Sequence, residues 1–185
     1  PNVAMALEKD VDVLILGGSS AVVVRIFYPT TNSDLPCIMW YHGGGFVLGS
    51  VDGYAHICRQ LASETQCAVA SVEYRMAPEH TFPIAHEDCF LATKHIWRQR
   101  ASLGLSQTKP FALAGDSAGG NLAITVPLQA LLDSSVDEDP LRIASVVPVY
   151  PLISALGMFP SKMEFFHGFP LGTPSMNWFL EKYCP

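Results

Sequence analysis

The stretch Gly115-Asp116-Ser117-Ala118-Gly119 decides how this chain folds. It follows a short apolar run at 111–114 that is typical of a buried strand, and it opens a helix-like run at 118–132. A strand, a tight Gly-x-Ser-x-Gly turn and a helix form the context of a nucleophile elbow. Glycines let the strand and the helix pass closely, and the turn strains the serine backbone so that the hydroxyl stands clear of both. The stretch therefore predicts an α/β fold with Ser117 as its candidate nucleophile; the alternative is a serine that only caps the helix.

Strand-like and helix-like segments alternate on both sides of this turn. Residues 11–16 and 21–28 flank a Gly-Gly-Ser-Ser sequence and predict a β-hairpin. Further strands are predicted at 36–41, 68–73, 111–114 and 144–150, and helices at 54–65, 84–100, 118–132 and 174–183. Pro127 should kink or end its helix, and Pro148 should interrupt its strand. The alternation predicts an open, mostly parallel sheet flanked by helices.

Composition and charge narrow the class of protein. The chain has 185 residues, of which 49% are hydrophobic and 15% are charged, and its net charge is −6. This balance predicts one globular domain over residues 1–185. There is no basic stripe that would favour nucleic acid, no apolar run long enough to span a membrane, and no visible signal peptide. We therefore expect a cytoplasmic protein without a nucleic-acid partner or a transmembrane segment, and the oligomeric state stays open.

Five cysteines stand at positions 37, 58, 67, 89 and 184, an odd number without a Cys-x-x-Cys pair. Their spacing does not suit a metal site. We interpret them as small, reduced, buried side chains, with Cys37 and Cys67 in strands and Cys89 in a helix.

A second glycine motif, His42-Gly43-Gly44-Gly45, also follows a strand-like apolar run. Backbone N–H groups of residues without side chains can approach a substrate oxygen closely, so the motif is typical of an oxyanion-hole loop. A flexible turn is the alternative, because the sequence fits neither common phosphate-loop pattern. We interpret His42 as a residue that pins this loop through its ring nitrogens. Ala118, directly after the serine, adds an amide at the positive end of a helix.

Three ordered motifs together resemble the hormone-sensitive-lipase-like esterases of the α/β-hydrolase superfamily. They are HGGGF at 42–46, YRMAPEHTFP at 74–83 with the following Glu-Asp-Cys at 87–89, and GDSAGGNLA at 115–123. The resemblance spans roughly residues 20 to 185 and implies an α/β-hydrolase fold. It also implies a carboxylic ester hydrolase that acts on small-molecule esters with short or medium acyl chains and uses no cofactor and no metal.

The resemblance assigns roles residue by residue. It implies Ser117 as the nucleophile and the amides of Gly44, Gly45 and Ala118 as the oxyanion hole. We expect His42, Gly43 and Asp116 to support the two loops, and Phe46, Val47 and Leu48 either to line an apolar acyl pocket or to anchor the glycine loop. The polar residues Glu73, Tyr74, Arg75 and Glu79 could contact substrate, but we favour a brace between the active-site loops.

The resemblance also implies a triad in the order Ser, Asp, His, with the last two residues on loops after later strands. Only one strand is predicted after Ser117, so we expect both partners to lie beyond Pro185. Residues within the chain are weak candidates for the missing triad partners. We interpret the acidic residues after the serine as part of a solvated loop and the histidines before it as packing or surface residues. The residues weighed in this way are Asp133, Asp137, Asp139 and His167 after the serine, and His86 and His95 before it.

Two rival interpretations follow from the same motifs. The chain could be a non-catalytic, receptor-like member of the fold that binds a small ligand without a working triad. It could also be an inactive truncated form of the enzyme.

Overall fold

The computed structural model describes residues 6–14, 21–133, 139–154, 157, 159–164, 166–168 and 171–185. The described strands are β1 (Leu7–Leu14), β2 (Ala21–Tyr28), β3 (Cys37–Tyr41), β4 (Ala68–Val72), β5 (Phe111–Asp116) and β6 (Ile143–Val149). The described helices are α1 (Val51–Thr65), α2 (Ile84–Gln99), α3 (Ala118–Leu132), α4 (Pro160–Glu164) and α5 (Thr173–Tyr183). The predicted hairpin is present as β1 and β2, although its turn lies outside the described residues.

The strands form one mixed sheet in the order β1-β2-β4-β3-β5-β6. Strands β4, β3, β5 and β6 run parallel, whereas β1 and β2 pair antiparallel with their neighbours. Every residue of β4 is buried, as expected for a strand covered on both faces. The predicted α/β class with a mostly parallel sheet is confirmed.

Two apolar layers enclose the sheet. The larger one packs α2 and α3 against one face and includes the fully buried side chains of Trp97, Phe111 and Leu122. The smaller one lies under α1 and includes Phe27, Trp40 and other small or aromatic residues. The carboxyl ends of the parallel strands β3 and β5 meet at one edge of the sheet, which places the segments after Tyr41 and after Asp116 side by side. The sheet thus brings the glycine motif to the serine turn.

Helix α1 begins three residues earlier than predicted. The Ser50 hydroxyl accepts a hydrogen bond from the Gly53 N–H at 3.0 Å, and the Glu73 carboxylate accepts one from the Val51 N–H at 2.6 Å. Both bonds satisfy amides that have no intrahelical partner. Helical periodicity alone could not identify the earlier start, because Glu73 belongs to another segment.

Pro127 does not end its helix, which has the predicted bounds, whereas Pro148 does not interrupt its strand as predicted. Helix α3 continues past Pro127 to Leu132, since its buried residues, such as Leu122 and Val126, hold it on the sheet. Strand β6, the outermost strand of the described sheet, continues through Pro148. This proline lies opposite Gly115 of β5. An outermost strand tolerates proline because only one side of its backbone needs ladder hydrogen bonds.

Three cysteines match their predicted burial and two do not. Cys37, Cys58 and Cys89 are buried and reduced, whereas Cys67 is partly exposed before β4 and Cys184 is exposed after α5. The short helix α4 was not predicted. Among the described residues, none of the helices combines the length and the apolar character needed to cross a bilayer.

Candidate active site

Ser117 occupies the sharp turn between β5 and α3. Its backbone has φ 54° and ψ −114°, a left-handed conformation that is uncommon and strained for a residue with a side chain. Its N–H donates to Val149 O at 2.9 Å, and its carbonyl accepts from the Leu152 N–H at 3.1 Å. The surrounding backbone therefore holds the strained turn in place.

The glycines on both sides of Ser117 are required by close packing. A Cβ on Gly119 or on Gly115 would overlap the carbonyl oxygen of Tyr41 at the end of β3. Because this obstacle is backbone, no side-chain rotation can relieve it. The turn and the end of β3 are in direct contact for this reason.

The glycine loop beside the turn has a conformation that suits glycine. Gly44 has φ +116° and Gly45 has φ +63°. The Gly44 carbonyl accepts from the N–H groups of Val47 and Leu48, at 3.1 and 2.9 Å. Among the described residues, the N–H groups of Gly44 and Gly45 donate to no protein atom. They remain available to a ligand.

Asp116 joins the serine turn to the glycine loop. Its side chain is only 8% exposed. One carboxylate oxygen accepts from the Gly43 N–H at 2.9 Å and the other from the Tyr54 hydroxyl at 3.0 Å. Burial, together with the Asp116 charge, raises the pKa of Tyr54 to about 12, so this hydroxyl stays a donor at neutral pH. Sequence reasoning missed Tyr54, which lies on α1 and belongs to none of the three motifs.

His42 lies fully buried beneath the loop. Its Nδ1 is 2.8 Å from Gly43 O, and because a carbonyl only accepts, Nδ1 carries the hydrogen. The Tyr74 ring stacks on the imidazole at 4.3 Å, and its hydroxyl donates to His42 O at 2.7 Å. Burial lowers the pKa of His42, opposed by the Gly43 bond and by the charges of Glu73 and Asp116. The ring is therefore neutral and packed under the loop.

The polar block after β4 braces the same region. Asp88, fully buried on α2, accepts two hydrogen bonds from the Arg75 guanidinium at 2.9 and 2.7 Å and a third from the Arg75 N–H. Tyr74 holds His42, and Glu73 caps α1. Glu79 differs, because it is exposed and has no hydrogen bond or ion pair with another described residue.

A cavity of about 260 Å³ lies against Ser117. One wall is the serine turn and the glycine loop, with Gly44, Gly45 and Ala118. The opposite wall is apolar and comes mainly from α5. Its residues are Leu152, Leu171, Met176, Phe179 and Leu180. Sequence reasoning missed this wall, although apolar residues recur at helical spacing along α5.

The three residues that follow the glycines, Phe46, Val47 and Leu48, have different environments in the structure. Phe46 is buried, lines the cavity and stacks on Tyr183 at 4.0 Å. Val47 packs against the main core, and Leu48 is 54% exposed. Neither lines the cavity, so the pocket interpretation fits Phe46 alone.

None of the residues that the structure describes is placed to act as a base for Ser117. Within the described part of the chain, the Ser117 hydroxyl has no hydrogen bond to an imidazole. Asp133 pairs with Lys94, Asp139 pairs with Arg100, and His167 is exposed. Asp137 lies outside the described residues. His86 is not a simple packing residue, because both of its ring nitrogens are hydrogen-bonded, to Asn121 and to Tyr183.

Comparison with known proteins gives a consistent result. A family model described as alpha/beta hydrolase fold matches residues 38–185. Carboxylesterase NlhH of Mycobacterium tuberculosis is 34% identical over 169 residues, covering 91% of this chain and 51% of that protein. An ethyl acetate hydrolase of Pseudomonas putida is 30% identical over 164 residues, covering 87% of this chain and 50% of that protein.

A solved structure agrees with this fold. It is EstE1, a thermostable carboxylesterase cloned from a metagenomic library, which superposes with a TM-score of 0.88 at 35% identity. The match covers 99% of this chain and 60% of that one. The chain spans about half the length of the curated relatives named above. It belongs to the α/β-hydrolase fold family and, within it, to the hormone-sensitive-lipase-like esterases.

Proposed function

We propose that this chain carries the nucleophile and the oxyanion hole of a carboxylic ester hydrolase. Ser117 attacks the ester carbonyl, and the amides of Gly44, Gly45 and Ala118 stabilise the oxyanion that forms. The strained conformation of Ser117, at the N-terminus of α3 and beside the glycine loop, carries this proposal.

The electrostatics of the turn support the same roles. Ala118 is the first residue of α3, so its N–H has no intrahelical acceptor and lies at the positive end of the helix. With the two glycine amides it forms a set of backbone donors fixed before substrate binds. Removing one oxyanion donor typically lowers kcat by about 10² to 10³.

The cavity supports small apolar substrates. Its volume of about 260 Å³ is close to the lower end of ordinary ligand pockets, about 300 Å³. The wall formed by Leu171, Met176 and Phe179 offers carbon atoms to an acyl chain. Short or medium acyl groups therefore suit the site. Attack by serine needs neither a cofactor nor a metal.

A general base has to complete the mechanism. In the family a histidine oriented by an aspartate activates the serine. His42 does not fit this role, because it is buried, neutral and bonded to Gly43 O. Since the described residues place no imidazole at Ser117, we expect the 185-residue chain by itself to turn over esters very slowly.

A non-catalytic, receptor-like function is the second candidate. An apolar cavity beside a serine that has no imidazole partner among the described residues would bind a small ligand and leave it unchanged. Covalent labelling by a fluorophosphonate separates the two, because labelling requires an activated serine.

The experiment measures p-nitrophenyl butyrate hydrolysis and fluorophosphonate labelling. We expect both activities, and their loss in Ser117→Ala, in a polypeptide that contains this sequence together with the family's Asp and His. The buried Ser71→Ala variant is the matched control, because Ser71 lies on β4 away from the cavity. Equal hydrolysis by the wild type and by Ser117→Ala would refute the assignment of the nucleophile. Tight binding of a butyrate ester without labelling would favour the receptor-like function.

A further inference from the structure

Helix α5 forms one wall of the cavity and presses on the oxyanion loop. A Cβ on Gly45 would lie 2.6 Å from Cδ1 and Cγ of Phe179, so the Phe179 ring rests directly on that glycine. At the C-terminal end of α5, Tyr183 is buried and stacks on Phe46. The placement of α5 therefore sets the space left above Ser117.

On its other side α5 is held at Tyr183, which stacks on Phe46, meets Phe82 edge-on and accepts at its carbonyl from the Phe82 N–H at 2.9 Å. A second cavity of about 650 Å³ lies there, and Phe46, Leu152 and Leu180 line both cavities. His86 and Asn121 border the second cavity together with Tyr183. Polar contacts in this region therefore matter more than usual for the position of the helix.

One chain of hydrogen bonds runs from α5 to the serine turn. The Tyr183 hydroxyl is 2.8 Å from His86 Nδ1, and His86 Nε2 is 3.0 Å from Asn121 Oδ1. Asn121 Nδ2 donates to Leu152 O at 2.7 Å. The Leu152 N–H donates to Ser117 O at 3.1 Å.

The chemistry of the last acceptor sets the direction of every bond. Leu152 O only accepts, so the Asn121 amide presents its nitrogen there and its oxygen to His86. That oxygen also only accepts, so His86 Nε2 carries the hydrogen. A neutral imidazole then has a bare Nδ1, which accepts from Tyr183. Burial lowers the pKa of His86, opposed by the Asn121 bond, and keeps the ring in this neutral form.

We propose that Tyr183, His86 and Asn121 are positioning residues that lock helix α5, and with it Phe179 above Gly45, in register with the Ser117 turn. The catalytic consequence rests on the proposed function: loosening α5 should weaken binding of apolar esters and raise KM several-fold, with a smaller change in kcat. The structural part of the proposal, that these hydrogen bonds hold α5 in place, does not depend on the protein being an active enzyme.

The test compares two tyrosines with the same burial, one in the proposed network and one outside it. Tyr183 and Tyr28 are both 5% exposed and both donate a hydroxyl hydrogen bond, Tyr28 to Leu103 O at 2.9 Å. In Tyr183→Phe we expect the amides of α5 to exchange with solvent about tenfold faster, the effect of one lost hydrogen bond. In Tyr28→Phe we expect α5 exchange to match the wild type. Equal acceleration in both variants would mean general destabilisation and would overturn the proposal.

A second variant tests whether the bonds form one unit. His86→Leu removes the acceptor for Tyr183, so it should accelerate α5 exchange at least as much as Tyr183→Phe does. The double variant should be no faster than His86→Leu alone, because that variant has already lost the Tyr183–His86 bond. Additive effects in the double variant would overturn the proposal.

Two further measurements separate this inference from the proposed function. Imidazole ¹⁵N chemical shifts should show the Nε2–H tautomer of His86. The Nδ1 resonance should shift in Tyr183→Phe and stay unchanged in Tyr28→Phe. An Nδ1–H tautomer would contradict the proposed directions of the hydrogen bonds. If neither the wild type nor any variant hydrolyses esters, the proposed function fails. The rates of amide exchange in α5 and the tautomer of His86 still decide whether these hydrogen bonds position α5. In an active protein, a kcat loss without any rise in KM would contradict the catalytic consequence.

Discussion

The two walls of the cavity over Ser117 are built in different ways. The first wall, the serine turn and the glycine loop, consists of backbone fixed by buried polar groups: Asp116, His42 and Tyr74 each hold it by hydrogen bonds. The second wall is α5, whose only buried residue is Tyr183 and which is tied to the rest of the protein at that residue, by Phe82 N–H to Tyr183 O and by the Tyr183 hydroxyl to His86. In the proposed function the backbone amides of the first wall stabilise charge and tolerate little displacement, whereas the apolar wall has only to exclude water and accommodate an acyl chain.

The largest expected effect concerns the close packing of the first wall. Gly119→Ala would force a Cβ onto the carbonyls of Tyr41 and His42, which cannot move without disrupting β3. We expect a loss of at least about 3 kcal/mol in the free energy of unfolding. Urea denaturation measures it. Gly53→Ala in α1, where the nearest atom would be 3.4 Å away, should be neutral or stabilising; similar losses in both variants would contradict the steric explanation.

The polar support of the first wall should come next. Asp116→Ala leaves the Gly43 N–H and the Tyr54 hydroxyl without their acceptor, which should cost about 2 to 3 kcal/mol. Asp52→Ala removes an exposed partner of Arg25 and should cost less than about 1 kcal/mol. Thermal unfolding of the two variants gives the difference. If both lose the same amount, the carboxylate of Asp116 does not support the loop as described.

The second wall should respond in specificity more than in stability. Phe179→Ala enlarges the cavity beside Gly45, and because Phe179 is only partly buried, we expect a loss of about 1 to 2 kcal/mol. In an active protein, the ratio of kcat/KM for p-nitrophenyl octanoate to that for the acetate should rise. Trp178→Ala, which truncates the exposed neighbouring side chain, should leave this ratio unchanged. An unchanged ratio in Phe179→Ala would show that α5 does not limit acyl length.

The smallest expected effect is a shared dependence on pH. Burial lowers the pKa of His42 under the first wall and of His86 behind the second below the ordinary value of 6.5. The unfolded chain therefore binds protons first, so stability is full above about pH 6.5 and falls as pH drops toward the folded pKa values. We expect a loss on the order of 1 kcal/mol between pH 7.5 and 5.5 in urea titrations. His86→Gln should reduce this loss; a loss equal to that of the wild type would contradict the assignment.

The sequence predicted the first wall more completely than the second. The strand, turn and helix around Ser117 and the glycine loop are local patterns, since the glycines follow from backbone conformation and close approach. Helix α5 was predicted within one residue of its start, yet its apolar face was not connected with the serine. Helical spacing identifies a face and does not say what the face covers.

The sequence alone determined the family, the sharp turn at Ser117 and the alternation of strands and helices, because each depends on backbone preferences within a few consecutive residues. Only the tertiary structure decided the partners: Gly43 meets Asp116 from 73 residues away, Tyr54 meets it from 62, and His86 meets Tyr183 from 97. Such contacts exist because parallel strands end at one edge of the sheet and bring distant loops together. The long-range bonds hold the turn that the local sequence predicts and place the wall opposite it.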